Sequence, residues 1–205
     1  AYALSRGALA RGEWEILGRN AQDFGSDSAL VEAIAASGAD LVAFSLYAWN
    51  LERSLHVASR VASALPRSRL VAGGPEICQG MPIMSRSPFH ALVEGEGEEP
   101  FCELLDDLRK GRPLARRYAA RSPLDLEKLP NPYLEGILPF EADRPVHLET
   151  VRGCPMQCGY CRYGNHCQAE EYSQDDQAGD GPAALLLGRF GGRRCALWGQ
   201  RSRRD

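Results

Sequence analysis

Lysine is almost missing from this sequence: Lys110 and Lys128 are the only ones among 24 Lys plus Arg. Against 27 Asp plus Glu, the net charge is -3 and the isoelectric point near 5.9. That balance lacks the basic excess that a phosphate backbone attracts, so nucleic acid is not the default partner. Long apolar runs are missing too. None approaches the ~20 residues that cross a bilayer, and the opening AYALSRGALARGEWE has no charged region leading into an apolar signal core. The expectation is a soluble, cytoplasmic protein with no membrane partner. Neither a G-x-G-x-x-G loop nor a G-K-[ST] phosphate loop occurs, which disfavours dinucleotides and nucleoside triphosphates. With 44% hydrophobic and 25% charged residues, the composition is that of a globular chain and excludes a fibre or a disordered polymer.

What the sequence does have is alternation. Tyr2 to Leu9 is spaced helically, Gly12 breaks it, and Trp14 to Leu17 (WEIL) reads as a strand. A helix at the very start with no strand to pack on suggests that a first strand precedes Ala1. Asp27 and Ser28 are candidate caps for a helix over LVEAIAASG that Gly38 ends. Leu41 to Leu46 (LVAFSL) is a nearly continuous apolar run, as expected of a parallel strand covered on both faces. A helix follows from Leu51 to Leu65, with Asn50 as candidate cap and Pro66 beyond its end. Arg69 to Glu76 (RLVAGGPE) runs a strand into a double glycine. Ala91 to Val93 then leads through EGEGE into a helix from about Pro100 to Lys110. Strands alternating with helices predict an α/β, doubly wound parallel sheet over residues 1–115.

In such sheets ligands sit outside the carboxyl ends of the strands, so YAWN (Tyr47 to Asn50), GGPE (Gly73 to Glu76) and EGEGE (Glu94 to Glu98) should share one rim. The glycines admit two readings: tight strand-to-helix turns, or close approach of a ligand to bare backbone. The polar rim residues Ser45, Tyr47, Trp49, Asn50, Glu76, Glu94 and Glu96 divide the same way. Asn50 could only cap its helix and Trp49 could only pack.

Six prolines between Pro113 and Pro145 make residues 116–145 an expected extended linker. Residues 146–165 hold a strand-like Val146 to Val151 and then Cys154, Cys158 and Cys161 on a glycine turn, while Cys78, Cys102, Cys167 and Cys195 are scattered. Without a secretion signal these cysteines read as thiols or metal ligands. The C-x3-C-x2-C spacing can hold three corners of a [4Fe-4S] cluster and leave one iron open. A zinc site completed by Cys167 or His166 is the alternative.

ETVRGCPMQCGYC resembles the cluster loop of the radical S-adenosylmethionine enzymes, and SLYAWN, GGPE and EGEGE before it resemble the cobalamin-binding domain of their B12-dependent subfamily. The resemblance implies a Rossmann-like cobalamin domain whose first strand is missing, followed by the start of a partial barrel. It implies Cys154, Cys158 and Cys161 as cluster ligands and Tyr160 near the adenine of S-adenosylmethionine. Ser45, Tyr47, Gly73, Gly74, Glu94 and Gly95 would line cobalamin. The implied activity is methyl transfer from cobalamin to an unactivated carbon of an unidentified substrate, with a radical generated at the cluster. The family's D-x-H-x-x-G loop would lie before Ala1, and none of His56, His90, His147 or His166 sits in such a motif.

Only 44 residues follow Cys161 in the 205-residue chain, too few for the family's barrel. Residues 166–205 show no sustained period and end rich in Arg and Gly, which leads us to expect an out-of-frame or prematurely ended tail that resequencing would test. A solvated, disordered tail is the plainer alternative, and its cluster Arg193, Arg194, Arg201, Arg203 and Arg204 could also touch nucleic acid. Two other functions stay open. The chain could be a cofactor-binding module without turnover, or a relative of the methylthiotransferases that act on tRNA or protein.

Overall fold

A computed structural model describes residues 1–15, 25–77, 87–122, 124–126, 129–138 and 152. The chain packs as two units, residues 6–122 and residues 1–5 with 123–205.

In the unit 6–122, Ser26 starts the first long helix. Its hydroxyl accepts from the Ala29 N–H at 3.2 Å, and Gly38 closes the helix in the left-handed conformation, with φ 62°. The cap is thus one residue before the predicted Asp27, because the hydroxyl must reach back from outside the first turn. We label the short helix Tyr2–Ser5 α1 and this one, Asp27–Ser37, α2. Strand β1 (Leu41–Ser45), helix α3 (Leu51–Ala64), β2 (Arg69–Gly73), β3 (Ala91–Glu94), α4 (Glu98–Arg109) and β4 (Arg117–Ala119) follow. Pro100 lies buried in the first turn of α4, where a missing N–H costs no helical hydrogen bond.

The four strands are all parallel and ordered β1-β2-β3-β4, with Ala43 opposite Val71, Val71 opposite Ala91, and Val93 opposite Tyr118. Side chains alternate between the two faces. On one face Val42, Phe44, Leu70, Ala72 and Leu92 meet α2 and α3 through Val31, Ile34, Val57, Ala58 and Val61. On the other, Val71, Ala91, Val93 and Tyr118 meet Leu104 of α4. The sheet is doubly wound, as the alternation predicts. Each Val, Leu, Ile or Phe side chain buried this way contributes about 1.5–3 kcal/mol. Entry to β1 and β2 is tied by buried Ser68, whose hydroxyl donates to the Ala39 carbonyl at 2.6 Å.

Other expectations need correction. β1 was expected to be covered on both faces, yet Ala43 and Ser45 are exposed while Leu70, Val71 and Ala72 of β2 are all buried. The order explains it, since β1 is an outer strand of the described sheet and β2 an inner one. The linker expected from residue 116 opens with β4, so the sheet runs on to Ala119 and its unit to Ser122. The only apolar contribution of that strand to the core is Tyr118, which hides a three-residue strand among arginines. The helix expected to reach Leu9 stops at Ser5. Trp14 and Glu15 are in no strand, and Ile16 and Leu17 lie outside the described residues. The backbone before them, Gly7 and Ala8, is held instead by the Arg109 guanidinium at 3.3 and 3.1 Å.

Within the other unit, Asn131 to Leu138 is a hydrogen-bonded turn rather than extended chain. Asn131 Oδ1 accepts from the Tyr133 and Leu134 N–H groups at 3.0 and 3.3 Å, and Ile137 N–H donates to the Pro132 carbonyl at 2.9 Å. Proline-rich composition concealed it, because an Asx turn uses the asparagine side chain and leaves the proline lacking N–H no role as donor.

Candidate functional site

Parallel strands put their exits on one edge, and there β1 and β2 continue to bind each other beyond their last residues. Leu46, fully buried, donates its N–H to the Gly73 carbonyl at 2.7 Å and accepts from the Glu76 N–H at 3.2 Å. This crossing needs a glycine at 74. Gly74 has φ 101°, and a Cβ there would lie 2.6 Å from the Leu46 carbonyl oxygen and 2.7 Å from its nitrogen, closer than real Cβ atoms come. Gly73 differs: its Cβ would meet Val93 at ordinary contact, 3.6 Å. The double glycine therefore divides into Gly74, required by the chain's own packing, and Gly73, where a Cβ would make only ordinary contact with the neighbouring strand.

Helix α3 begins at Leu51, but Asn50 before it makes no side-chain bond to the first helical turn. Its amide turns back into the loop instead, so the cap reading is corrected. Asn50 Oδ1 accepts from the Tyr47 N–H at 2.8 Å, Nδ2 donates to the Ser45 carbonyl at 3.0 Å, and the Asn50 N–H donates to the Tyr47 carbonyl at 3.0 Å. The Tyr47 and Trp49 rings stack with centroids 4.7 Å apart and planes 14° from parallel. Trp49 is 81% exposed, the most exposed large apolar side chain among the described residues. The reading of Trp49 as a packing residue is corrected too, for it stacks on a neighbour in solvent and not in the core.

The third loop leaves β3 at Glu94, whose carboxylate pairs with Arg117 of β4. Gly95 is exposed, has φ 72° and has open space where a Cβ would stand. Ser45, Tyr47, Gly73, Gly74, Glu94 and Gly95 thus occupy one edge of the sheet. Arg117, the first residue of β4 and in register with Leu92, reaches Glu94 through its side chain alone; it fell in the expected linker, and only a strand reading of RRYAA could have found it. Cys154, Cys158, Cys161 and Tyr160 lie outside the described residues. So do Cys167 and His166 of the zinc alternative.

The charged cluster of the unit is elsewhere. Helix α4 starts at the carboxyl edge and runs back, so its end lies by the entry to β4. There Asp107 Oδ2 accepts from the Tyr118 hydroxyl at 2.7 Å, Arg112 reaches Asp107 and Asp106 at 2.7 Å each, and Lys110 reaches Asp106 at 2.8 Å. The Tyr118 hydrogen bond, then Arg112, holds Asp107 below the usual carboxylate range. Lys110, then Arg112, does the same for Asp106. Burial, then the Asp107 bond, pushes the Tyr118 phenol up. His90 also belongs to the amino edge, with Nδ1 accepting from the Leu70 N–H at 3.0 Å, and His56 is exposed on α3. Cys102 is half-buried on α4. Burial raises its thiol pKa against the pull of Arg6, which keeps it protonated at neutral pH. Among the described residues no three His, Cys, Asp or Glu side chains gather as a metal site.

The rim and its sheet can be set beside known proteins. Residues 5–105 match the B12 binding domain family. Over 152 residues the chain is 32% identical to the 2-(S-pantetheinyl)-carbapenam-3-carboxylate methyltransferase of Streptantibioticus cattleyicolor. Over 151 residues it is 30% identical to the cobalamin-dependent radical SAM methyltransferase TokK of Streptomyces tokunonensis. Each match covers 62% of this chain and 22% of the relative, so the chain spans about one fifth of their length. No described helix is long and apolar enough to cross a membrane. In sequence and in its parallel, glycine-rimmed sheet, the region 5–105 of this chain belongs to the B12 binding domain family.

Proposed function

We propose that the carboxyl rim of this domain binds cobalamin, and that the chain belongs to a cobalamin-dependent radical S-adenosylmethionine methyltransferase acting on an unactivated carbon. The observation that carries the reading is the rim itself. An indole 81% exposed and stacked on Tyr47 stands on the same edge as an open Gly95 and the Gly73–Gly74 turn. Exposed aromatic surface on a rigid rim suits a broad, largely apolar planar ligand, because covering it returns free energy in proportion to area. In this reading the Gly73 and Gly95 main chain approaches the cofactor, and the Ser45 hydroxyl and the Tyr47–Trp49 rings supply side-chain contacts. Cys154, Cys158 and Cys161 would hold a [4Fe-4S] cluster and Tyr160 would pack near S-adenosylmethionine. When bound, these groups supply a methyl carrier and, after reductive cleavage of S-adenosylmethionine, hydrogen abstraction from substrate.

The test is anaerobic reconstitution with iron, sulfide and hydroxocobalamin, then desalting, an absorbance spectrum, and cobalt and iron counts. Cobalt retained near one per chain supports the rim assignment, and its absence overturns it. A Cys158→Ala chain that assembles the same cluster spectrum overturns the cysteine assignment. Formation of 5'-deoxyadenosine separates the enzyme from a second reading, a binding module without turnover. That second reading is favoured by the location of all the rim residues within the unit 6–122.

A further inference from the structure

We infer that Asn50 is a positioning residue for the rim: its amide fixes the Ser45–Asn50 loop and so holds Trp49 and Tyr47 as a preformed stacking platform for the corrin. The inference rests on the cobalamin reading above. Its starting point is that Asn50 does not do what the residue before a helix ordinarily does, since it makes no side-chain bond to the first turn of α3. Both ends of its amide are spent on the preceding loop. The partners are of opposite kind, the Tyr47 N–H at 2.8 Å and the Ser45 carbonyl at 3.0 Å, so the amide fits in one orientation only. Aspartate, an acceptor only, could serve the Tyr47 N–H but not the Ser45 carbonyl.

Those bonds bracket the rings. Tyr47 is held through its N–H by the side chain and through its carbonyl by the Asn50 N–H, which closes a turn around Ala48 and Trp49. Nothing else described fixes an indole that is 81% exposed except its stack on Tyr47 at 4.7 Å. An exposed stack on an unpinned loop would lose its geometry to rotamer and backbone freedom. A ligand would then have to restore it, at a cost to affinity. One residue along, buried Leu46 anchors the same loop to Gly73 and Glu76, so the pinned segment grows out of a fixed base.

The experiment uses the full chain with Asn50→Ala, Asn50→Asp, Trp49→Leu and the double variant Asn50→Ala/Trp49→Leu. Three quantities are read: the hydroxocobalamin Kd by absorbance titration, the thermal midpoint, and the near-ultraviolet dichroism of the stack, taken as parent minus Trp49→Leu. Asn50→Ala should remove the stack signal and raise Kd about tenfold, while the midpoint moves far less. In the Trp49→Leu background the same change should raise Kd less than about threefold, because the group it acts through is gone. Asn50→Asp keeps the acceptor for Tyr47 and is a good helix cap, so it folds and falls between parent and alanine. An Asn50→Ala penalty of equal size with and without Trp49, or a stack signal that survives it, overturns the inference alone. A parent chain that holds no hydroxocobalamin overturns the cobalamin reading and this one with it.

Discussion

At the carboxyl edge of the sheet, Leu46, Gly73 and Glu76 are joined by main-chain hydrogen bonds of 2.7 and 3.2 Å, whereas at the amino edge Asp106, Asp107, Arg112 and Tyr118 are joined through side chains. The first arrangement tolerates no added atom at Gly74 and is made by main-chain groups. The second is charged, solvent-facing and adjustable. A rim that must meet a large ligand gains from rigid backbone and from bare surface where Cβ atoms are absent, while a remote corner can be fastened by pairs of modest individual worth. The difference assigns binding to one edge and fastening to the other, and each assignment can be broken separately.

The largest effect is expected from Gly74→Ala. The new Cβ would meet Leu46 main-chain atoms at 2.6 and 2.7 Å on a residue with φ 101°, and neither the clash nor the backbone can relax without parting β1 from β2. A loss of about 3 kcal/mol or more in urea unfolding is expected, with hydroxocobalamin binding abolished. Gly73→Ala is the matched control, since its Cβ meets Val93 at 3.6 Å, and it should cost under about 1 kcal/mol. Equal costs at the two positions would mean that the double glycine serves the turn alone.

The amino edge should break by acid instead. Asp107 and Asp106 titrate below the ordinary 3.8 in the folded chain, so the stability they contribute is present above that value and is lost as the pH falls through their folded pKa. Tyr118→Phe removes the first cause of the Asp107 shift and should flatten this acid limb, with a stability loss at pH 7 of roughly a third of that for Gly74→Ala. Tyr118 also has a raised pKa, so its contribution is full below 10 and falls as the pH climbs through the folded value. The Leu46–Gly74 crossing takes up no proton in either range. An acid limb unchanged in Tyr118→Phe would dissolve the contrast between the edges.

Much of the sheet was legible because its signals are local and steric. Gly38 ends α2 in the left-handed conformation, apolar runs mark β1 to β3, and Pro66 lies just past α3, so residue type alone carries the message. The rim loops were legible for a topological reason, since parallel strands leave no choice about which ends face together. What stayed hidden depends on contacts between distant segments. Sequence offers Gly74 as a bare backbone for a ligand, and only the fold reveals that Leu46 already occupies the space its Cβ would take. Asn50 reads as a cap because capping is the common use of asparagine before a helix, and its backward turn needs Ser45 and Tyr47 in place. β4 is invisible because an edge strand of three residues with one buried side chain has no periodicity to read.

The smallest expected effect bears on Glu94, which the family resemblance offers as a cofactor contact and the fold pairs with Arg117. The side chains are 20% and 46% exposed, so the pair is screened and should contribute well under 1 kcal/mol. Arg117→Ala should therefore leave unfolding within about 0.5 kcal/mol of the parent. Its effect on hydroxocobalamin affinity then decides what the carboxylate does. If Glu94 serves only Arg117, both Arg117→Ala and Glu94→Gln leave Kd within about twofold, and the rim binds through Gly95 main chain and the aromatic pair. If the carboxylate also meets the cofactor, Glu94→Gln weakens binding while Arg117→Ala, by freeing the carboxylate, does not. Opposite responses at two ends of one ion pair would move Glu94 from the fastening side of the comparison to the binding side, and would leave the backbone assignment of Leu46, Gly73 and Gly74 untouched.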